Sequence, residues 1–383
     1  MVDAPVEVIS TDTPDRKPEE GIGLCLSGGG YRAMVFHIGA LWRLYDAGLL
    51  GNIKRISSVS GGSITAATLA LKWRKLSFTP ARIQDDFVPE VVVPLRALAG
   101  ETIDAEAIVL GSLLPGRISD RIAAAYDEHL FKKATLQDLP DAPRFVINAT
   151  NVQSGAIWRF MKPYMRDYRV GEVRAPQIPL SLAVAASSAF PPALSPVEMR
   201  LDPKSFTADS GTDLQRVPFT SKVILTDGGV YDNLGLETVW KRFTTVLVSD
   251  GGGKLRAEEE PKSDWARHSY RVLDLIDNQV RSLRKRQLID SFKAAAADAN
   301  HRKGAYWGIR TNIADYGLPS AFDCPHERTM ELAETPTRLK RLNDTLQERL
   351  INWGYAVCDA ALRKHVKVEL AKPAHFPYPA AGI

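Results

Sequence analysis

The chain twice sets a short apolar run before a glycine-rich turn and a second apolar run of helical length. The first instance is Ile22 to Leu26, then Ser27-Gly28-Gly29-Gly30, then Tyr31 to Ala47. The second is Arg55 to Val59, then Ser60-Gly61-Gly62-Ser63, then Ile64 to Trp73. Short apolar runs bounded by glycine predict buried strands, and the longer runs behind them predict helices. Two such units predict an α/β sheet that presents its chemistry at the carboxyl ends of its strands.

A turn from strand to helix points free backbone N–H groups at an anion. The Gly28 to Gly30 turn lacks the G-x-G-x-x-G spacing and the lysine of a phosphate loop. It suits the oxyanion of acyl transfer, which needs preorganised N–H donors and no cation. Glycines that only let strand and helix approach closely are the structural alternative. Ser60 falls at the corner of the second turn, where a hydroxyl stands clear of the backbone at the positive end of a helix. Ser58 lies within the strand and Ser63 in the first helical turn. An ordinary N-capping serine fits Ser60 as well.

A nucleophilic serine needs a base, and none of the 7 histidines has a strand-end, glycine-flanked setting; His37 falls in the first helix. Two aspartates do have one. Lys222 to Thr226 reads as a strand running into Asp227-Gly228-Gly229-Val230-Tyr231-Asp232-Asn233, and Thr244 to Val248 as one running into Ser249-Asp250-Gly251-Gly252-Gly253. A partly desolvated carboxylate at either place is a candidate general base, and a turn-forming Asp-Gly is the plainer reading of both.

LSGGGYRA, SVSGGS, AASSAFPP (Ala185 to Pro192) and DGGVYDN, in that order, resemble the patatin-like phospholipases and the related cytosolic phospholipase A group over residues 20 to 253. The resemblance implies a three-layer α/β/α sandwich, distinct from the α/β-hydrolase fold, and a Ser–Asp dyad without a catalytic histidine. It implies Ser60 as nucleophile, Asp227 as base, and an oxyanion hole at Gly28, Gly29, Gly30 and Gly61. It gives Arg32 the task of supporting the site or meeting a lipid phosphate. One departure stands in the motif: Ser58 replaces the first glycine of the family's G-x-S-x-G.

Composition bounds the rest. The 383 residues are 45% hydrophobic, enough for a sizeable core, and 49 basic against 45 acidic residues leave a net charge of +4. That balance argues against nucleic acid as a partner and allows weak attraction to an anionic membrane surface. Cys25, Cys324 and Cys358 have no metal spacing and imply no disulfide framework, which favours a reducing compartment. The acidic start, MVDAPVEVISTDTPDRKPEE, has no apolar core of a signal peptide, and no apolar run is long enough to span a bilayer. A cytoplasmic enzyme, peripheral at a membrane surface if attached to one, is the expected location.

The expected organisation is a flexible tail over 1–20, a catalytic α/β unit over 21–253, and a mostly helical C-terminal extension over 254–383 packed on that unit. Phe87 to Gly100 reads as core or as a lipid-facing lid, and Asp202 to Arg216 as an exposed loop. Arg281, Arg284, Lys285 and Arg286 read as a solvated helix face within reach of lipid headgroups. Thr335-Pro336 reads as the start of a last helix carrying Leu339, Leu342, Leu346, Leu350, Trp353, Val357 and Ala360 on one face. The expected function is hydrolysis of phospholipid or lysophospholipid esters with no metal and no cofactor. A carboxylesterase, a transacylase using the same dyad and a non-enzymatic lipid-binding module are the alternatives, and no motif sets the oligomeric state.

Overall fold

The computed structural model describes residues 17–103, 116–192, 194–253, 255 and 257–383. The tail expected over 1–20 therefore lies outside the described residues as far as residue 16. A mixed sheet runs through the molecule. Five parallel strands form its centre in the order β10 (Lys303–Gly308), β9 (Phe243–Asp250), β1 (Glu19–Leu26), β2 (Ile53–Ser58) and β3 (Arg144–Asn151). Beyond β3 the antiparallel strands β4 (Ala156–Phe160), β5 (Tyr164–Asp167) and β6 (Gly171–Arg174) continue the sheet.

Side chains alternate between two apolar layers, as strands buried on both faces require. Leu24, Leu26 and Leu247 join the larger core with the helices α1 (Gly30–Asp46) and α2 (Gly61–Lys72). Cys25, Val246 and Val248 face the other way, onto Leu234, Val239 and Leu288. The result is an α/β fold with helices on both faces and a helical C-terminal part. The three cysteines are buried and unpaired.

The C-terminal part is built into the sheet and the core. β10 lies beyond residue 253 and pairs along β9. The helix Asp344–His365 crosses α1 so closely that a Cβ on Gly39 would stand 1.9 Å from the Ile351 carbonyl oxygen, and one on Gly354 would stand 2.0 Å from that of Phe36. Asp359, fully buried on this helix, receives Arg43 of α1 at 2.9 Å and its own neighbour Arg363 at 2.8 Å.

Two sequence expectations change here and one is kept. The last helix does not begin at Thr335-Pro336: Asn343 caps it by accepting the Leu346 N–H at 2.9 Å. Residues 335–343 are held in irregular form by tertiary bonds, Tyr31 N–H to the Arg338 carbonyl at 3.1 Å and Leu342 N–H to Ala99 at 2.8 Å. The stretch from Phe87 keeps its core reading, with Phe87, Val91, Val92, Leu95 and Leu98 fully buried. The basic cluster is mostly turned inward. Arg281 is buried beside Asp277, Arg284 pairs with Glu237 at 3.0 Å, and Lys285 lies over the Tyr306 ring.

β8 (Lys222–Asp227) decides where the chemistry sits. It pairs antiparallel with β3 at Asn151, Thr150 and Ala149, whereas β2 pairs parallel with β3 up to Ile147. β4 occupies the opposite edge of β3 over Ile147–Asn151. β2 and β8 therefore share one edge and run head-on, their carboxyl ends meeting on either side of Asn148. Among the described residues no helix is long and apolar enough to cross a membrane.

Candidate active site

Ser60 sits between β2 and α2 with φ 51° and ψ −122°, a conformation that costs a residue with a Cβ about 1–3 kcal/mol. Close packing holds it there. Its N–H donates to Ser187 Oγ at 3.0 Å, and the Gly62 N–H donates to Val59 O at 2.9 Å. A Cβ on Gly61 would stand 2.2 Å from the Gly30 carbonyl oxygen, and one on Gly62 would stand 2.4 Å from that of Leu26. The elbow thus rests directly on the first glycine turn, which explains why both residues after Ser60 are glycine.

The neighbouring serines are occupied elsewhere. Ser63 Oγ donates to Ser58 Oγ at 3.0 Å and lies 2.8 Å from Ser187 Oγ, and Ser58 Oγ donates to the Val146 carbonyl. Both are fully buried, while Ser60 lines a cavity of about 390 Å³.

Asp227 lines the same cavity from the end of β8. Its backbone is fixed by Thr150 Oγ, which donates to its carbonyl at 2.8 Å, and by its own N–H, which donates to Ala189 O at 3.0 Å. Oδ1 accepts the Gly229 N–H at 2.7 Å, and the buried Oδ2 has no hydrogen-bond partner. Burial pushes the carboxyl up to about 7, against the Gly229 N–H and the nearby Ser60 hydroxyl, which favour the ionised form. The charge of Asp277 adds to the rise.

Asp250 is also buried, but its Oδ1 accepts the Gly252 N–H at 2.9 Å and its Oδ2 the Tyr306 hydroxyl at 2.8 Å. Burial alone would raise it; Arg281, those two donors and Lys285 outweigh burial and hold it below the usual carboxylate range. It fixes the Gly251–Gly253 turn and does not line the cavity. No histidine lines the cavity either. His37 is tied to Ser249 Oγ at 2.8 Å and to the Ser27 carbonyl at 2.9 Å. A carbonyl only accepts, so Nε2 carries the proton, and burial lowers the ring to about 4.

In the glycine loop, the Gly28 N–H donates to the Asn233 carbonyl at 3.0 Å and is occupied. Among the described residues no hydrogen bond takes the N–H of Gly29, Gly30 or Gly61. Gly29 and Gly30 have φ of 145° and 61°, which leaves these positions to glycine. Arg32 follows on α1, 2% exposed, and among the described residues no carboxylate pairs with it. Nε donates to Gly251 O at 3.0 Å, Nη1 to Thr335 O, and the buried Nη2 to nothing. Burial, with the charges of Arg281 and Arg310 adding to it and Asp250 opposing, lowers its pKa to about 9.

The far wall of the cavity comes from the C-terminal part: Tyr270, Asp274, Asp277 and Arg281 of the helix Trp265–Lys293, and the stretch from Ala333 to Arg338. Asn233 links this wall to the site, since its Nδ2 donates to Asp277 Oδ1 at 3.1 Å while its carbonyl holds Gly28. Sequence reasoning did not single out Ser187, Asn233 or Asp277. The first two lie inside the AASSAFPP and DGGVYDN strings and were within reach; Asp277 carries no local signal. Among the described residues, no group of three or more His, Cys, Asp or Glu side chains is arranged to hold a metal ion.

The family model described as patatin-like phospholipase matches residues 24–240. Among solved structures, the fold is similar to that of human GIVD cytosolic phospholipase A2, with a TM-score of 0.51 and 14% identity. The similarity covers 89% of this chain and 58% of that protein, so the chain spans less than two thirds of its length. VipD from Legionella pneumophila aligns at a TM-score of 0.36 and 15% identity, over 91% of this chain and 68% of that one. No curated protein sequence matches.

Proposed function

Since the chain belongs to the patatin-like phospholipase family, we propose that it hydrolyses ester bonds of phospholipids or lysophospholipids with Ser60 as nucleophile and Asp227 as general base. One observation carries the reading. A serine forced into a left-handed elbow and a carboxyl at about 7 with a free oxygen meet in one cavity, beside backbone N–H groups that nothing occupies.

Asp227 Oδ2 takes the hydroxyl proton as Ser60 Oγ attacks the ester carbonyl. The oxyanion forms next to the unoccupied N–H groups of Gly29, Gly30 and Gly61, at the positive ends of α1 and α2. Gly28 supports this loop through its bond to Asn233, and its own N–H is spent on that bond. The tetrahedral state collapses, the ester oxygen leaves with the proton from Asp227, and the acyl group stays on Ser60. Water then gives its proton to Asp227 and attacks the acyl-enzyme, and that proton passes to Ser60 Oγ as the Oγ–acyl bond breaks and the fatty acid departs. A carboxyl near 7 suits both steps, since it accepts and returns a proton at neutral pH.

Arg32 has two tasks in this reading. It clamps the Gly251 and Thr335 carbonyls, and its free Nη2 meets the substrate phosphate. Product analysis by mass spectrometry on a mixed panel of phospholipids and neutral lipids, with Ser60→Ala as control, tests the whole. Free fatty acid and lysophospholipid from the active protein alone are expected, together with fluorophosphonate labelling confined to Ser60. Label on Ser58 or Ser63 sinks the assignment, and acyl transfer to an added alcohol in preference to water turns the enzyme into a transacylase.

A further inference from the structure

The helix Trp265–Lys293 sorts the charges of the cavity wall by position along its axis. Arg281, Asp277, Asp274 and Tyr270 face the cavity in that order, each about one turn from the next, so that Arg281 and Asp274 stand roughly 10 Å apart along the axis. At the Arg281 end are two buried guanidiniums with N–H groups that nothing takes, Arg32 Nη2 and Arg281 Nε. Both side chains are anchored on one turn, Arg32 on the Gly251 carbonyl and Arg281 on that of Gly253. Arg32 Nη2 also borders the glycine loop, since a Cβ on Gly29 would stand 2.9 Å from it.

The two carboxylates of the helix wall are not equivalent. Asp277 is spent, receiving Asn233 Nδ2 at 3.1 Å and Arg281 at 3.3 Å. Asp274 is half-buried, and among the described residues no hydrogen bond or ion pair reaches it. Arg271, the cation nearest to it along the helix, is paired with Glu258 at 3.2 Å. Burial and then the charge of Asp277 raise the Asp274 carboxyl, with Arg271 opposing and Glu258 adding. Glu334 and Arg338, elsewhere in the lining, are of opposite sign and leave this division standing.

We infer that the cavity selects phospholipids whose headgroup carries a primary ammonium, the phosphoethanolamine class, with the phosphate on Arg32 Nη2 and Arg281 Nε and the ammonium on Asp274. This rests on the hydrolase reading above and on the phosphate contact given there to Arg32. A phosphate satisfies two buried donors, and an ammonium brings Asp274 the N–H groups and the positive charge that it lacks. One ion-pair contact at each end, with the two-carbon link of ethanolamine between them, fits the two-turn spacing of Arg281 and Asp274. A glycerol or inositol headgroup brings no cation to Asp274, and a serine headgroup sets a carboxylate against it. Choline has no N–H to give, and the helix wall offers it one aromatic ring, Tyr270, in place of a cage.

The test compares kcat/KM for phosphatidylethanolamine, phosphatidylcholine and phosphatidylglycerol of identical acyl chains, each in detergent mixed micelles. The wild-type protein is expected to favour the ethanolamine lipid over the glycerol lipid by roughly tenfold or more, with the choline lipid between them. Asp274→Asn is expected to bring the ethanolamine-to-glycerol ratio close to one, and Asp274→Lys to invert it. A wild-type ratio of one or below overturns the inference, and so does a folded Asp274→Asn protein that keeps the wild-type ratio. Equal rates on the ethanolamine and choline lipids overturn the assignment of a primary ammonium. If neither variant folds, protection of the wild type decides. Glycerophosphoethanolamine is expected to slow fluorophosphonate labelling of Ser60 at concentrations where glycerophosphoglycerol does not, and equal protection by the two overturns the inference. Failure of the hydrolase reading shows separately, as no hydrolysis of any of the three lipids and no label on Ser60.

Discussion

β8 and β9 both end in a buried aspartate followed by glycines, two after Asp227 and three after Asp250, and the two carboxyls are driven in opposite directions. Asp250 meets Arg281, Lys285 and the Tyr306 hydroxyl, all of which favour its charge. Asp227 meets one N–H and a serine hydroxyl, keeps one oxygen without a partner, and has the nearby Asp277 to oppose ionisation. Local sequence makes the turn; the cations brought in by distant elements decide whether the carboxylate is a fixture or a base. Asp250's cations come from the long helix behind it, whereas burial, one N–H, the Ser60 hydroxyl and Asp277 set the carboxyl of Asp227.

The sharpest way to break this contrast is Asp227→Asn, which keeps the shape and removes the acceptor. It should lower kcat/KM on phospholipid by roughly 10²–10⁴-fold in a protein that still folds. Asp250→Asn should act on folding instead, weakening two bonds to an ionised acceptor and lowering stability by about 2 kcal/mol in a denaturant titration. If the folded Asp250→Asn protein is as inactive as Asp227→Asn, the assignment of roles is reversed.

Protonation sharpens the comparison. Asp227 is raised in the folded state, so its contribution is fully present below the ordinary carboxylate range and is lost as pH rises through about 7. The melting-temperature advantage of Asp227→Asn over wild type should therefore grow between about pH 4 and pH 7, while kcat/KM of the wild type rises over the upper part of that window. Asp250 is lowered, so its stabilisation is present above the ordinary range and fades only as pH falls below it. A stability difference for Asp250→Asn that varies between pH 5 and pH 8 contradicts this. The smallest effect is expected from His268→Ala, because His268 is exposed and does not line the cavity. Loss of turnover in that variant would demand a histidine-based triad.

The same contrast explains what was legible in the sequence. The two strand–glycine–helix turns and the strand ends at Asp227 and Asp250 follow from short-range pattern, because apolar runs and glycines act locally. The proposed choice of Asp227 over Asp250 as base did not follow from local pattern alone, because it depends on which cations arrive from residues 281 and 285. Thr335-Pro336 has the chemistry of a helix start, and yet the Tyr31 N–H and Arg32 claim the Arg338 and Thr335 carbonyls and leave the helix to begin at Asp344. Arg281 looks like a surface charge in sequence and is buried because Gly253 and Asp277 receive it.

The head-on arrangement of β2 and β8 makes β3 a gauge block for the proposed dyad. The proposed nucleophile and base lie far apart along the chain, but the gap between their strands is set by a single residue, Asn148, between Ile147 and Ala149. Asn148 also grips the β2 side through Ser57 Oγ and the Ser58 carbonyl, each at 2.9 Å. The long excursions between Ser60 and Asp227 are therefore free to lengthen or shorten over evolutionary time without detuning the pair, whereas one residue inserted in or deleted from the middle of β3 would part them or drive them together. For an engineer, loops are the place to change what enters this site, and β3 is the one strand whose length must be left alone.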